Sequence, residues 1–279
     1  MLRSYDRKLD QRLFSDIDLR YVRGFDMFLQ KRGCCGNTRK FYFKALRAIL
    51  NRANAEGVGS VATYPFGRGG FEVSKLEEAT AKRYLPAAKL SKLKSSTASN
   101  PQCEYARKLF LFSYYCYGIS FIDMAMLTAA HIKQMKDGDY IVYKRQKIKR
   151  QKGVKPISIK ITPAIRQLIG SLQAASPTVD DYLLPIVTRS GYTGERLYMH
   201  IRTRYSKYQK YLRLPAEELG IDFHLTSYVS RHTAAMTLQR NNIPREVISQ
   251  MLGHADLETT NIYLDSFDNR VINEAAKVL

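Results

Sequence analysis

The stretch PAAKLSKLKSSTASNP, residues 86–101, is the feature that most constrains how this chain can fold. It contains few large apolar side chains, whereas the regions on both sides carry apolar residues at regular spacing. Its first half fits a short helix, and its Ser-rich second half is typical of a flexible connection. A chain of 279 residues is long enough to form two cores. We therefore predict a first domain over residues 1–90, a linker over residues 91–101 and a second domain over residues 102–279.

The first domain is predicted to be all-helical. Residues 15–33 open with a capping pattern and place apolar side chains at helical spacing. A second helix is predicted over residues 37–57, and it carries several cations, among them Arg39, Lys40, Lys44 and Arg47. These cations either lie along a phosphate backbone or form the solvated face of an ordinary amphipathic helix.

The second domain combines helices with a small antiparallel sheet. Residues 102–117 are strongly apolar and predict a buried helix, and the region after residue 163 is mainly helical in pattern. Two β-type runs, residues 140–143 and 156–161, flank KRQKIKRQKGVK, which contains no acidic residue. The sequence therefore predicts a mainly α protein with a β-hairpin that has a cationic tip.

The charge of the chain indicates a polyanionic partner. There are 45 Lys and Arg against 25 Asp and Glu, a formal net charge of +20, which favours nucleic acid ahead of an acidic membrane surface. The sequence has no long apolar run and no signal-peptide core, so we expect a cytoplasmic protein that does not contact a membrane. The four cysteines include no C-x-x-C pair, so neither a zinc site nor a disulfide framework is indicated.

An ordered set of motifs lies near the C-terminal end. Arg231-His232 opens a helical pattern, Leu252-Gly253-His254 ends another, and Tyr263 follows nine residues after His254. This set resembles the C-terminal motifs of the tyrosine recombinase (phage integrase) family. Upstream, NTRKFYFKALRAILNRA followed by YPF resembles the SAM-like core-binding domain of Bacteroidetes-type integrases of mobile elements. The resemblance covers nearly the whole chain and implies a SAM-like DNA-binding domain followed by an α+β tyrosine-recombinase catalytic domain.

The resemblance also implies roles for individual residues. Tyr263 would attack phosphorus to form a 3′-phosphotyrosyl intermediate, and Arg231 would hold the phosphate oxygens with its planar guanidinium. His254 would donate to the same phosphate or shuttle a proton. Lys147, or alternatively Lys152, would protonate the leaving 5′-oxygen. Such a reaction implies no cofactor, neither ATP nor Mg²⁺.

Two positions depart from the family pattern. Ser120 stands where the first arginine is usual, and Tyr228 stands where a histidine normally precedes the second arginine by three residues. We expect Arg145 or Arg150 to supply part of the missing charge, and Tyr228 to donate a hydrogen bond in the histidine's place. Asp123 is expected to support the site or cap a helix. The cationic tip is also expected to contact DNA phosphates through Arg145, Arg150 and Lys152.

The resemblance implies that the protein clamps double-stranded DNA between its domains. It further implies a homotetramer on DNA that passes through a Holliday junction, with DNA-bending accessory proteins as further partners. Residues 271–279 would dock on a neighbouring protomer. Many relatives carry an arm-binding domain before the core-binding one, so this chain is either a minimal recombinase or a truncated one. Two other functions remain open, a non-catalytic DNA-binding relative and a type IB topoisomerase.

Overall fold

A computed structural model describes residues 1–78, 83–98, 100–254, 257, 260 and 264. The chain divides into two compact units, Met1–Ala81 and Lys82–Leu279. This division falls earlier than the predicted end of the first domain at residue 90. The helix Ala87–Ser95 lies where the linker was expected to begin, and its Leu90 and Leu93 are buried in the core of the second unit. The predicted boundary is therefore corrected. The two buried leucines attach this short, otherwise polar helix to the second unit.

The first unit is helical. Its helices are α1 (Leu2–Tyr5), α2 (Leu19–Lys31) and α3 (Gly36–Ala55). Helix α2 begins later than predicted because the carboxylate of Asp18, not the side chain of Ser15, caps it, accepting from the amide of Tyr21 at 2.7 Å. The core is formed by side chains of α2 and α3 with Phe66 and Val73.

Helix α3 buries a different stripe from the one its apolar residues suggest. Phe43, Leu46 and Leu50 face the core, whereas Phe41 and Ile49 are 68% and 55% exposed. The predicted helix is confirmed over nearly all of its length, but an apolar pattern spread around a helix does not by itself identify the buried face.

The second unit contains the remaining α-helices of the described residues, and short 3₁₀ helices occur in both units. They are α4 (Ala87–Ser95), α5 (Pro101–Tyr115), α6 (Phe121–Ala125), α7 (Pro163–Ala175), α8 (Gly194–Glu218), α9 (Ser227–Arg240) and α10 (Arg245–Leu252). Helix α5 is the central one, since it packs against α7, α8 and α9 and its Leu109, Phe110 and Phe112 are fully buried. The predicted buried helix is therefore confirmed.

A three-stranded antiparallel sheet lies between α6 and α7 in the chain. Its strands are β1 (Ile132–Met135), β2 (Gly138–Tyr143) and β3 (Ile157–Lys160), in that order. Tyr143 pairs with Ile157, so residues 144–156 form the connection that carries the cations. The predicted hairpin and mainly helical fold class are confirmed, while β1, three of whose four residues are exposed, was not predicted.

Two helix ends matter for the site described below. Thr226 caps α9, its hydroxyl accepting from the amides of Tyr228 and Val229. Helix α10 ends at Gly253, whose φ of +63° is the left-handed conformation typical of a glycine C-cap. Within the residues that the structure describes, none of the helices has both the length and the apolar composition needed to cross a bilayer.

Candidate active site

Arg231 lies in the second turn of α9 and is almost completely buried, with 4% of its surface exposed. Its guanidinium donates through Nη1 to the carbonyl oxygen of Gly118 at 3.2 Å and through Nη2 to that of Leu252. Nη2 is also 2.8 Å from Nε2 of His254. These contacts fix the orientation of the guanidinium plane by hydrogen bonds to two distant chain segments.

Gly118 allows the turn after α5 to reach Arg231. Its φ is +72°, and a Cβ built on it would lie 2.3 Å from the Cα of Arg231 and 2.4 Å from its Cβ. Any other residue at this position would overlap the backbone of α9 and adopt a conformation that L-residues disfavour. The glycine is therefore required by the close approach that brings its carbonyl to the guanidinium.

His254 directly follows the end of α10. Its amide donates to the carbonyl of Ser249 at 3.1 Å, and Nδ1 of its ring lies 2.7 Å from Oγ1 of Thr260. Because a guanidinium only donates, Nε2 accepts from Arg231 and the ring proton of the neutral imidazole lies on Nδ1, where it donates to Thr260. The structure therefore brings Arg231 and His254 into direct contact, as the motif spacing indicated.

Arg145 is the cation of the hairpin connection that reaches this site. Its Nη1 donates to the carbonyl oxygen of Gly253 at 3.3 Å, one residue before His254. Arg150 and Lys152 are exposed in the same connection, and none of the described hydrogen bonds or ion pairs ties them to Arg231 or His254. Of the two candidates for the missing charge, the structure thus places Arg145 beside the site.

Ser120 and Asp123 join α6 to the beginning of this connection. The hydroxyl of Ser120 caps α6 and donates to Oδ2 of Asp123 at 2.6 Å. Oδ1 of Asp123, which is buried, accepts from the amide of Gln146 at 2.7 Å. Lys147 follows Gln146 and is exposed. Ser120 therefore serves as a helix cap, and Asp123 positions the backbone next to the predicted general acid.

The remaining predicted catalytic residues lie at the surface or outside the described residues. Tyr228, one turn before Arg231, is 54% exposed, and its ring meets the edge of the buried His232 ring at a centroid distance of 4.7 Å. Tyr263 lies outside the described residues, as do residues 271–279.

The predicted DNA-binding cations of α3 fall into two pairs. Nη1 of Arg39 donates to both carboxylate oxygens of Asp26, at 2.9 and 3.0 Å, and both side chains are largely buried. Lys40 pairs with Glu77 at 2.7 Å and holds the pKa of that carboxyl below its usual range. Their charges are thus engaged within the first unit.

Lys44 and Arg47 differ from that pair because they are exposed. With Lys40 they line a cleft between α3 and the segment that includes Phe71 and Ser74. Of the four predicted cations, these two are exposed and take part in none of the ion pairs that the structure describes, so they are the ones left for an external phosphate.

A basic helix beside the site was not identified from the sequence. Helix α8 carries the cations Arg196, Arg202, Arg204, Lys207, Lys210 and Arg213. Tyr198 and Arg202 of α8 line a groove together with Ser120, Ile122 and Ser227, next to the beginning of α9. The signal was present in GERLYMHIRTRYSKYQKYLR, in which Glu195 is the only acidic residue, but its Tyr and Arg residues fit a solvated helix equally well.

Both units are similar in sequence to parts of known proteins. The sequence pattern of the phage integrase SAM-like domain matches residues 1–72. Tyrosine recombinase XerC of Rhodospirillum centenum is 29% identical over 114 residues, 41% of this chain and 31% of that protein. Transposase B from transposon Tn554 of Staphylococcus aureus is 24% identical over 196 residues, 70% of this chain and 30% of that protein. The alignments thus span less than a third of these relatives.

Solved structures share the fold. The Tn1549 transposon integrase in complex with transposon right end DNA superposes with a TM-score of 0.66 at 12% identity, over 98% of this chain and 90% of that one. The XerH site-specific recombinase bound to difH substrate gives 0.60 at 18% identity, over 94% and 71%. The sequence pattern of the phage integrase family matches residues 83–270, well over half of the 279 residues, and the chain therefore belongs to the phage integrase family.

Proposed function

We propose that this protein is a site-specific DNA recombinase, the integrase of a mobile element, which cleaves and rejoins DNA through a 3′-phosphotyrosyl intermediate. The observation that carries the proposal is the contact between Arg231 and His254, at 2.8 Å, with Arg145 bound to the adjoining carbonyl of Gly253. Three chain segments that are far apart in sequence thus bring two cations and an imidazole together. Such a set of fixed donors is suited to a phosphodiester.

The reaction that we propose begins at Tyr263. Its phenol oxygen attacks phosphorus while the phenol proton passes to Nε2 of His254, the P–O bond to the 5′-oxygen breaks, and the leaving oxygen takes a proton from Lys147. A phenol with a pKa near 10 is a weak nucleophile, so the phosphate charge must be neutralised where it develops. Arg231 and Arg145 supply that positive charge.

His254 completes the phosphate site in this proposal. A phosphate oxygen bound beside Arg231 would accept the hydrogen bond that Nε2 now accepts. Once protonated, Nε2 would donate to the same oxygen, while Nδ1 keeps its contact with Thr260. Tyr228, one turn away on α9, would donate a further hydrogen bond from the surface.

Binding to double-stranded DNA is proposed for both units. Lys44 and Arg47 of the first unit and the basic side chains of α8 in the second are the cations that we assign to phosphates. We further propose a homotetramer on DNA, with DNA-bending accessory proteins as additional partners. The Bacteroidetes type of the integrase rests on the sequence resemblance alone.

One observation favours a second candidate function, a non-catalytic DNA-binding relative. Ser120 occupies the position of the first arginine, and its hydroxyl is engaged in capping α6. A site lacking that guanidinium binds the transition state less tightly unless Arg145 replaces it.

The test is a suicide oligonucleotide that carries a nicked candidate core site. We expect an adduct with DNA that resists SDS, and its loss in Tyr263→Phe. If the protein binds the site specifically but forms no adduct, the non-catalytic function is favoured. Relaxation of a supercoiled plasmid without recombinant products would instead indicate a type IB topoisomerase.

A further inference from the structure

Two buried serines connect α5 and α9 beside Arg231. Ser113 lies in the last turn of α5, Ser230 directly precedes Arg231 on α9, and both side chains are fully buried. Their hydroxyl oxygens are 2.6 Å apart, so one of the two hydroxyls donates to the other. A buried hydrogen bond therefore joins the two helices at the residue next to the guanidinium of the candidate site.

The turn after α5 depends on Ser113. Tyr117 and Gly118 have φ angles of +58° and +72°, a left-handed conformation that persists in consecutive residues only where surrounding contacts fix it. Ser113 supplies two of these contacts, because its hydroxyl donates to the carbonyl of Ile119 at 2.8 Å and its carbonyl accepts from the amide of Gly118 at 2.7 Å. The carbonyl of Gly118 in turn accepts from Nη1 of Arg231. Ser113 thus holds the turn whose carbonyl orients the guanidinium.

The protons of the two hydroxyls can be assigned. The hydroxyl of Ser113 also contacts the carbonyl of Ile119. The hydroxyl of Ser230 lies 2.7 Å from the carbonyl of Ser227, so two protons serve three contacts. Ser227 begins α9, and its carbonyl already accepts the helical amide one turn later, whereas Ile119 lies between helices. With Ser230 donating to Ser113 and Ser113 donating to Ile119, each of these carbonyls has a donor.

We propose that Ser113 and Ser230 are positioning residues for Arg231, an inference that rests on the proposed DNA cleavage, in which Arg231 holds the phosphate. Their hydrogen bond fixes the separation between the turn and α9, so that the carbonyl of Gly118 stays where it orients the guanidinium. A donor that stabilises developing charge has to be held within about 0.5 Å of its productive position. Both hydroxyls are buried, so they act through Arg231 and not by contacting DNA.

The first measurement needs no DNA. Nitrogen-15 NMR of the full chain follows hydrogen exchange at the guanidinium of Arg231, whose signals are identified by their loss in Arg231→Lys. Exchange should be about threefold to tenfold faster in Ser113→Ala and in Ser230→Ala, the change expected when one hydrogen bond is lost. The control Tyr114→Phe removes another hydroxyl contact between α5 and α9, 3.4 Å from Thr237, and should leave this exchange unchanged. Unchanged exchange in the serine variants, or an equal rise in Tyr114→Phe, would overturn the proposal.

The second measurement uses the nicked suicide oligonucleotide. Each serine variant should slow single-turnover adduct formation about tenfold, while its affinity for the same oligonucleotide changes by less than about twofold. The double variant Ser113→Ala with Ser230→Ala should be no slower than the slower single variant, because both substitutions break one link. Additive losses, or DNA binding that weakens in parallel with the rate, would refute the role of the pair. If the wild type forms no adduct, the proposed function fails, and guanidinium exchange alone decides whether the pair positions Arg231.

Discussion

At the scale of single residues, the proposed reaction depends on which cation takes the place of the arginine that Ser120 replaces. Arg145 is bound to the carbonyl of Gly253, whereas Arg150 of the same connection is exposed. Removing one fixed donor from a phosphoryl-transfer site typically costs a factor of about 10² to 10³ in rate. We therefore expect Arg145→Ala to slow formation of the covalent adduct by that factor.

Arg150→Ala is the matched control for this substitution. Both variants remove one positive charge from the same connection, so long-range effects on DNA binding are similar. Arg150→Ala should change the rate by less than about threefold, the effect of a surface charge. Equal loss of rate in the two variants, measured in single-turnover adduct assays, would show that Arg145 has no special role.

Gly118 provides a second prediction at this scale, on stability. Gly118→Ala places a Cβ 2.3 Å from the Cα of Arg231, which forces the turn away from α9. We expect a loss of about 2–4 kcal/mol in the free energy of unfolding, from strain and displaced packing. Urea denaturation measures this loss.

Gly191 offers the control for Gly118. Its φ is +70°, nearly the same, but a Cβ there would meet no atom within 4 Å. Gly191→Ala should cost only about 1–2 kcal/mol, the penalty of the left-handed conformation. If both alanines cost the same, the close approach to Arg231 does not contribute.

At the scale of elements, Asp123 links α6 to the connection between β2 and β3. Its carboxylate accepts from the amide of Gln146, and it is buried. In Asp123→Ala that amide loses its partner, which costs about 1–3 kcal/mol. We expect faster hydrogen exchange at Gln146 and slower adduct formation, because the backbone next to Lys147 is no longer held.

Asp137→Ala serves as the comparison for Asp123→Ala. Asp137 lies in the turn between β1 and β2 and pairs with Lys160 and Tyr140 in exposed positions. Its loss should cost at most about 1 kcal/mol and should leave exchange at Gln146 unchanged. Hydrogen exchange read by NMR distinguishes this local effect from global destabilisation, which would accelerate exchange throughout the second unit.

Helix α3 gives a prediction on DNA binding. Lys44 and Arg47 are exposed, and each phosphate contact contributes about 0.9 to the slope of log affinity against log salt. The double variant Lys44→Ala and Arg47→Ala should therefore lower that slope by about 2 on duplex DNA.

Arg39→Ala should behave differently, although it removes a cation from the same helix. Asp26 then loses its ion-pair partner, so we expect a loss of about 1–3 kcal/mol in stability and an unchanged salt slope. Binding isotherms at several salt concentrations test both statements, and a slope that falls equally in Arg39→Ala would contradict the division into structural and external cations.

At the scale of the whole molecule, the sequence predicted more of the architecture than of the contacts. Helical spacing and the two β-type runs predicted most elements, because periodicity reports burial directly. The division between the units was misplaced because Leu90 and Leu93 are too few to form a visible pattern. The sequence also could not separate Arg39 from Lys44, since that distinction depends on Asp26 of another helix.

The candidate site was predicted as a set of residues and not as a geometry. Motif spacing identified Arg231 and His254, which the structure places in contact. It left Arg145 and Arg150 as alternatives, because a hairpin connection of this length does not reveal which side chain folds back. The capping role of Ser120 and the basic helix α8 became visible only in three dimensions.

The hydrogen bonds of Arg231 join chain segments that the ribosome synthesises at different times. Its guanidinium is held by the carbonyls of Gly118 and Leu252, which are separated by more than a hundred residues of chain. A nascent polypeptide therefore carries the cations of α3 well before ribosomal synthesis reaches Leu252 and His254. A chain at that stage holds no oriented guanidinium, so truncated translation products would lack the contact between Arg231 and His254 on which the proposed cleavage depends.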